Sequence, residues 1–77
     1  MQVLGERVLL RAVKKEDVLG RDEVDHYEVA YIGSGMDLYE GQVKVGDRVY
    51  YQHSSGKVTI DDEELIVVEE EELIAIL

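Results

Sequence analysis

Apolar residues along this chain fall in short Val-, Ile-, Leu- and Tyr-rich runs, broken by Gly, Asp, Ser or charged clusters. That rhythm predicts strands and turns rather than long helices. Arg7–Val13 alternates, placing Val8, Leu10 and Ala12 on one face and Arg7, Leu9, Arg11 and Val13 on the other, a half-buried first strand. Lys14–His26 is polar and breaks the pattern. Tyr27–Ile32 reads as a second strand with Tyr27, Val29 and Tyr31 on one face, ended by Gly33-Ser34-Gly35. Val45-Gly46-Asp47 reads as a tight turn feeding Arg48–Tyr51, with Gly46 free to take a positive φ. Ser54-Ser55-Gly56 is a further turn. Lys57–Ile60 and Leu65–Val68 are strands separated by Asp61–Glu64, and Leu73–Leu77 is a last apolar run. Glu69–Glu72 suits one helical turn or a polar elbow, and its four like charges favour the elbow over a strand. The regular spacing of turns predicts an all-β fold, a small partly closed barrel forming one domain over residues 1–77.

Charge narrows the partners. Eight basic against eighteen acidic side chains give a net charge of −10, which repels nucleic-acid phosphates and anionic membrane surfaces. Without cysteine there is no disulfide, no thiolate zinc site and no thiol nucleophile. A 45% hydrophobic content is still too high for a disordered acidic tail. Seventy-seven residues build only a thin core, so the remaining stabilisation is expected from copies of the same chain. Glu6 and Arg7 interrupt the apolar start, and the apolar runs fall far short of the ~20 residues of a membrane span. A soluble, cytoplasmic protein is expected.

The charge is also unevenly spread. Residues 1–21 hold five of the eight basic groups, Arg7, Arg11, Lys14, Lys15 and Arg21, while residues 61–77 hold eight acids and no base. A positive leading strand and a negative trailing segment are suited to lie side by side, within one subunit or between neighbours. Leu73–Leu77 is apolar on both faces and would invite aggregation as a bare edge. Pairing with a neighbour's first strand would cover it, through an interface of Val3, Leu4, Val8, Leu10, Leu73, Ile74, Ile76 and Leu77.

Catalytic and ligand-binding patterns are weak. His26, beside Asp25, and His53 have no third ligand at diagnostic spacing. The acidic runs Asp61–Glu64 and Glu69–Glu72 lack the alternating ligands and central glycine of a calcium loop. Gly33-Ser34-Gly35 lacks the further glycine and the helix of a dinucleotide site. The five tyrosines, Tyr27, Tyr31, Tyr39, Tyr50 and Tyr51, suit core or interface positions better than base stacking. The expectation is a non-enzyme without metal or cofactor.

Five blocks in order resemble the GroES-like co-chaperonins, the ten-kilodalton chaperonin family. They are Leu4–Arg11; Tyr27–Gly35, similar to a G-x-V-x-x-V-G-x-G stretch with Tyr27 in place of the usual glycine; Val43–Val49; Asp61–Val68; and Glu71–Ile76. The resemblance implies a ring, usually of seven subunits, that caps the folding chamber of an ATP-driven chaperonin, with ATP hydrolysis left to the partner. It also implies pairing of first and last strands between neighbours. A mobile loop between the first two strands would carry the chaperonin contact, and Val18-Leu19-Gly20, within Lys14–His26, is the nearest match to its hydrophobic tripeptide.

Two features depart from the family. The loop is short, charged and has two aliphatics rather than three, and the roof hairpin is reduced to Met36–Gln42. About a dozen residues tethered at both ends project at most ~20 Å. One alternative is a ring-forming structural or assembly protein of the same fold that no longer binds a chaperonin. Another is a small ligand-binding or catalytic barrel using the histidines.

Overall fold

A computed structural model describes residues 2–15, 24–36 and 41–77. Six strands follow in order: β1 Arg7–Lys14, β2 Val24–Ile32, β3 Arg48–Tyr51, β4 Gly56–Ile60, β5 Glu63–Glu69 and β6 Leu73–Ile76. They form one antiparallel sheet in the order β4-β5-β1-β2-β3-β6. β5 and β6 stand four places apart in that order, yet only the 3₁₀ turn Glu70–Glu72 joins them. So short a link forces the sheet to roll into a half-barrel, with β4 and β6 as its edges. The all-β expectation holds, and hydrogen bonds among the described residues do not close the roll.

The Glu69–Glu72 run therefore contains a helical turn where an elbow was expected. Glu70 is nearly buried in it, and its N–H donates to the Glu6 carbonyl at 2.8 Å. Asp61 and Asp62, with φ of 50° and 65°, form the two-residue connection between β4 and β5. Positive φ at both central positions matches the twist of an antiparallel hairpin. This leaves Glu63 and Glu64 inside β5, paired with Ile60 and Thr59, rather than in a separator.

Inside the roll Val8, Leu10, Val29, Val43, Val49 and Val68 form the main core, with Tyr27, Ile32, Met36, Tyr51, Ile66 and Leu73 packed against it. A second cluster of Leu9, Ala30 and Leu65 lies on the opposite face of β1. The first strand is thus buried on both faces from Val8 to Leu10, not half-buried. A register shift in the β1–β2 ladder accounts for the second cluster. Leu9 pairs with Tyr31 and Leu10 with Val29, so Ala30 is an unpaired bulge. Beyond the bulge the faces of β2 exchange. Tyr27 and Val29 face the main core, whereas Tyr31 joins Leu9 outside and Ile32 turns inward opposite Val8. The expectation of Tyr27, Val29 and Tyr31 on one face fails at this bulge.

Candidate functional site

Three backbone hydrogen bonds fix the segment before β1. The N–H groups of Gly33, Ser34 and Gly35 donate to the carbonyls of Arg7, Val3 and Gly5 at 2.7, 2.8 and 3.0 Å. The approach is so close that a Cβ on Gly33 would lie 2.3 Å from the Gly5 oxygen and 2.5 Å from the Arg7 oxygen. Only glycine fits there. The clasp turns the carbonyls of Val3 and Gly5 inward and leaves the Leu4 side chain 68% exposed.

The turn before β3 is built with similar economy. Lys44 N–H donates to Asp47 Oδ2 at 2.9 Å, Asp47 N–H donates to the Lys44 carbonyl at 3.0 Å, and Gly46 takes φ 96°. Gly46 N–H then donates to the Val29 carbonyl at 2.8 Å, and Val29 N–H to the Asp47 carbonyl at 2.9 Å. A Val-Gly-Asp turn thus docks on β2 and aims β3 beside it.

β6 is the exposed product of this scaffold. β3 pairs with it along one edge, Val49 with Ile76, Tyr50 with Ala75 and Tyr51 with Leu73. Ile74, Ile76 and Leu77 are 61%, 43% and 62% exposed, while Leu73 tucks onto the core. A groove of about 270 Å³ runs beside it, lined by Gln42, Val43 and Leu73–Ile76.

The residues expected at a subunit interface therefore separate. Leu4, Ile74, Ile76 and Leu77 are exposed, and Val3 packs partly onto the second cluster. Val8 and Leu10 are fully buried in the main core, and β2 and β5 occupy both edges of β1 from Val8 to Leu10. Neither side chain is at the surface, and that stretch of β1 has no edge left for a neighbour. Alternation along the strand marked them correctly as apolar-facing, but the face looks into the subunit.

Val18, Leu19 and Gly20 lie outside the described residues. Their interval is narrower than the sequence suggested, because β1 runs to Lys14 and β2 starts at Val24, the two paired with each other.

His26 Nδ1 and Asp25 Oδ2 are 2.8 Å apart, with Arg48 Nη2 4.0 Å from the same oxygen. The hydrogen bond from His26 holds the Asp25 carboxyl below the usual carboxylate range. His53 is exposed in the connection after β3. Among the described residues no group of three His, Cys, Asp or Glu is placed to hold a metal ion. Tyr27 and Tyr51 meet edge to face with centroids 5.1 Å apart. Burial, then the hydrogen bond with Tyr27, pushes Tyr51 up to about 12.

Sequence reasoning missed the ion cluster on the outer face. Arg11 donates to both carboxylate oxygens of Glu63, from Nη2 at 2.9 Å and from Nε, and lies 3.5 Å from Glu28. It ties β1 to β5 and β2. Its partner Glu63 is 52 residues away, beyond any local pattern. The hydrogen bond from Arg11 lowers the Glu63 pKa. A carboxyl depressed in the folded state stabilises it above the unfolded pKa, and that contribution disappears as pH falls through the folded value. Glu63→Gln should therefore lower the urea midpoint at neutral pH and converge on the parent protein below the ordinary carboxylate range. A gap that stays constant down to low pH would contradict the assignment.

Comparison with known proteins agrees with this scaffold. The family described as Chaperonin 10 Kd subunit matches residues 1–77, and the chain belongs to that family. Its relatives include the Co-chaperonin GroES of Natranaerobius thermophilus, 27% identical over the whole of this chain and 97% of the relative. That of Polaromonas naphthalenivorans is 32% identical over the whole of this chain and 96% of the relative. The Thermotoga maritima protein is 32% identical over 94% of this chain and 89% of its own. Its role is that of a co-chaperonin. The Natranaerobius alignment runs over 92 positions for 77 residues here, so the relative carries segments this chain lacks.

Proposed function

We propose that the chain works as one domain in a homo-oligomeric ring, of seven subunits as in its family, that caps a GroEL-type chaperonin in the cytoplasm. The observation that carries the reading is the pairing of two unlike surfaces on one molecule. Among the described residues β6 pairs with β3 alone, which leaves its other edge open with Ile74, Ile76 and Leu77 exposed, and the clasped segment before β1 offers Leu4. In an extended segment alternate residues point opposite ways, so with Val3 and Gly5 turned inward, the backbone groups of Gln2 and Leu4 face out. β6 of one subunit joins this segment of the next, rather than β1 itself. Two different surfaces meeting head to tail generate a ring when the rotation closes.

Val18 and Leu19, with Gly20 beside them, supply the chaperonin contact. Burying two aliphatics yields ~3–5 kcal/mol before ordering costs, so a single loop binds at about millimolar strength or worse. Seven loops on one ring compensate, since each contact after the first is intramolecular. In this reading the ATP chemistry resides in the chaperonin, and the subunit acts by binding. Replacing Val18 and Leu19 together by Ser is expected to abolish ATP-dependent capture by a GroEL-type ring while the oligomer mass stays unchanged. Undiminished capture would refute the loop assignment.

A further inference from the structure

The groove of about 270 Å³ beside β6 has a wall that is aliphatic apart from Gln42. Val43 and Leu73 in that wall belong to the main core, and Ile76 stands opposite the core residue Val49, so the groove opens on the core side of the strand. Backbone groups wait beside it. The Leu77 N–H donates to the Arg48 carbonyl at 2.8 Å, across to β3. Bonding direction alternates along an antiparallel ladder, so the N–H and carbonyl of Ile76 point the other way, to the open edge. The segment before β1 has little apolar surface to offer such an edge. Val3 packs on the second cluster of its own subunit, Gly5 has no side chain, Gln2 and Glu6 are polar, and Leu4 is left exposed.

We infer that Leu4 of one subunit fills the groove beside β6 of the next, paired directly with Ile76 in an antiparallel sense. The inference rests on the ring reading and adds to it a pocket, its occupant and a register. Residues directly opposite on paired strands share a face. Leu4 set against Ile76 therefore stands on the face of Val43 and Leu73, over the groove. One step away the match fails, because Ala75 lies opposite the exposed Tyr50, on the face turned from the core. Charge selects the direction. Antiparallel pairing brings Arg7 of one subunit toward Glu71 and Glu72 of the other, whereas parallel pairing would carry it toward Leu77. Arg7 and Glu71 are both exposed, and the leading part of the chain is its basic part as the trailing part is its acidic one.

The chain has no cysteine, so introduced pairs report on the seating without background. Residues directly opposite on antiparallel strands stand ~4.5–5.5 Å apart at Cα, within the span of a disulfide. Under mild oxidation Leu4→Cys with Ile76→Cys is expected to yield a ladder of covalently linked subunits on a non-reducing gel. Leu4→Cys with Ala75→Cys should link at least tenfold less. In sedimentation, Leu4→Ser is expected to raise at least tenfold the protein concentration at which the ring half-dissociates, while Leu4→Met, of similar bulk, stays near the parent. This pair of variants decides alone if the cysteine pairs weaken the ring. A ring of parent mass that links through Ala75 or through neither pair, or that tolerates Leu4→Ser, would overturn the seating of Leu4 and leave the ring reading standing. A parent chain that sediments as a monomer would end the ring reading and this inference with it.

Discussion

Gly33→Ala is expected to cost the fold about half of its stability or more. The new methyl would meet two carbonyl oxygens, of Gly5 and Arg7, at 2.3 and 2.5 Å, and neither belongs to a flexible side chain that could swing away. Relief requires parting the clasp and giving up the hydrogen bonds from Gly33, Ser34 and Gly35. Overpacking of this kind costs roughly 1–3 kcal/mol, and each lost backbone bond adds about 1. A domain of this size has roughly 4–12 kcal/mol in total. The urea midpoint should fall by about half or more, and the segment carrying Leu4 should become protease-sensitive. A midpoint within experimental scatter of the parent would show that the close approach is not a constraint.

The second large effect is expected at β6. Ile74→Lys with Ile76→Lys should break the ring at micromolar concentration while the far-ultraviolet signature of the strands persists. Both side chains are substantially exposed in the isolated subunit, so the protomer loses little. In the ring each would be buried, at about 1.5–3 kcal/mol per side chain, and a lysine there must also shed its water. The loss recurs at every interface of the closed assembly. Sedimentation at several concentrations reads it directly, and an unchanged oligomer would place the interface elsewhere.

Much of this scaffold is legible along the chain because its signals are local. Val45-Gly46-Asp47 specifies its own turn through one positive φ and one side-chain acceptor. Gly33-Ser34-Gly35 ends β2, although nothing local reveals that Gly33 lies against the carbonyls of Gly5 and Arg7. The unlike charge and the apolar tail mark Leu73–Leu77 as the strand in need of cover. What escaped depends on distant partners. The Ala30 bulge sets two residues of β2 against one step of β1 and so exchanges the faces of Tyr31 and Ile32, which a period of two does not encode. Val8 and Leu10 show the related ambiguity: an apolar face reads the same whether it meets its own core or a neighbour. The Arg11–Glu63 pair requires β5 beside β1, a fact of topology. Four like charges favour an elbow, but a chain that crosses from β5 to β6 in three residues winds into a 3₁₀ turn.

Native mass spectrometry of the protein mixed with a GroEL-type chaperonin, with and without ATP, tests the whole account most directly. The predicted species, with ATP present, is the chaperonin carrying a closed ring of seven copies of this chain. Free monomers beside an unoccupied chaperonin under the same conditions would contradict it.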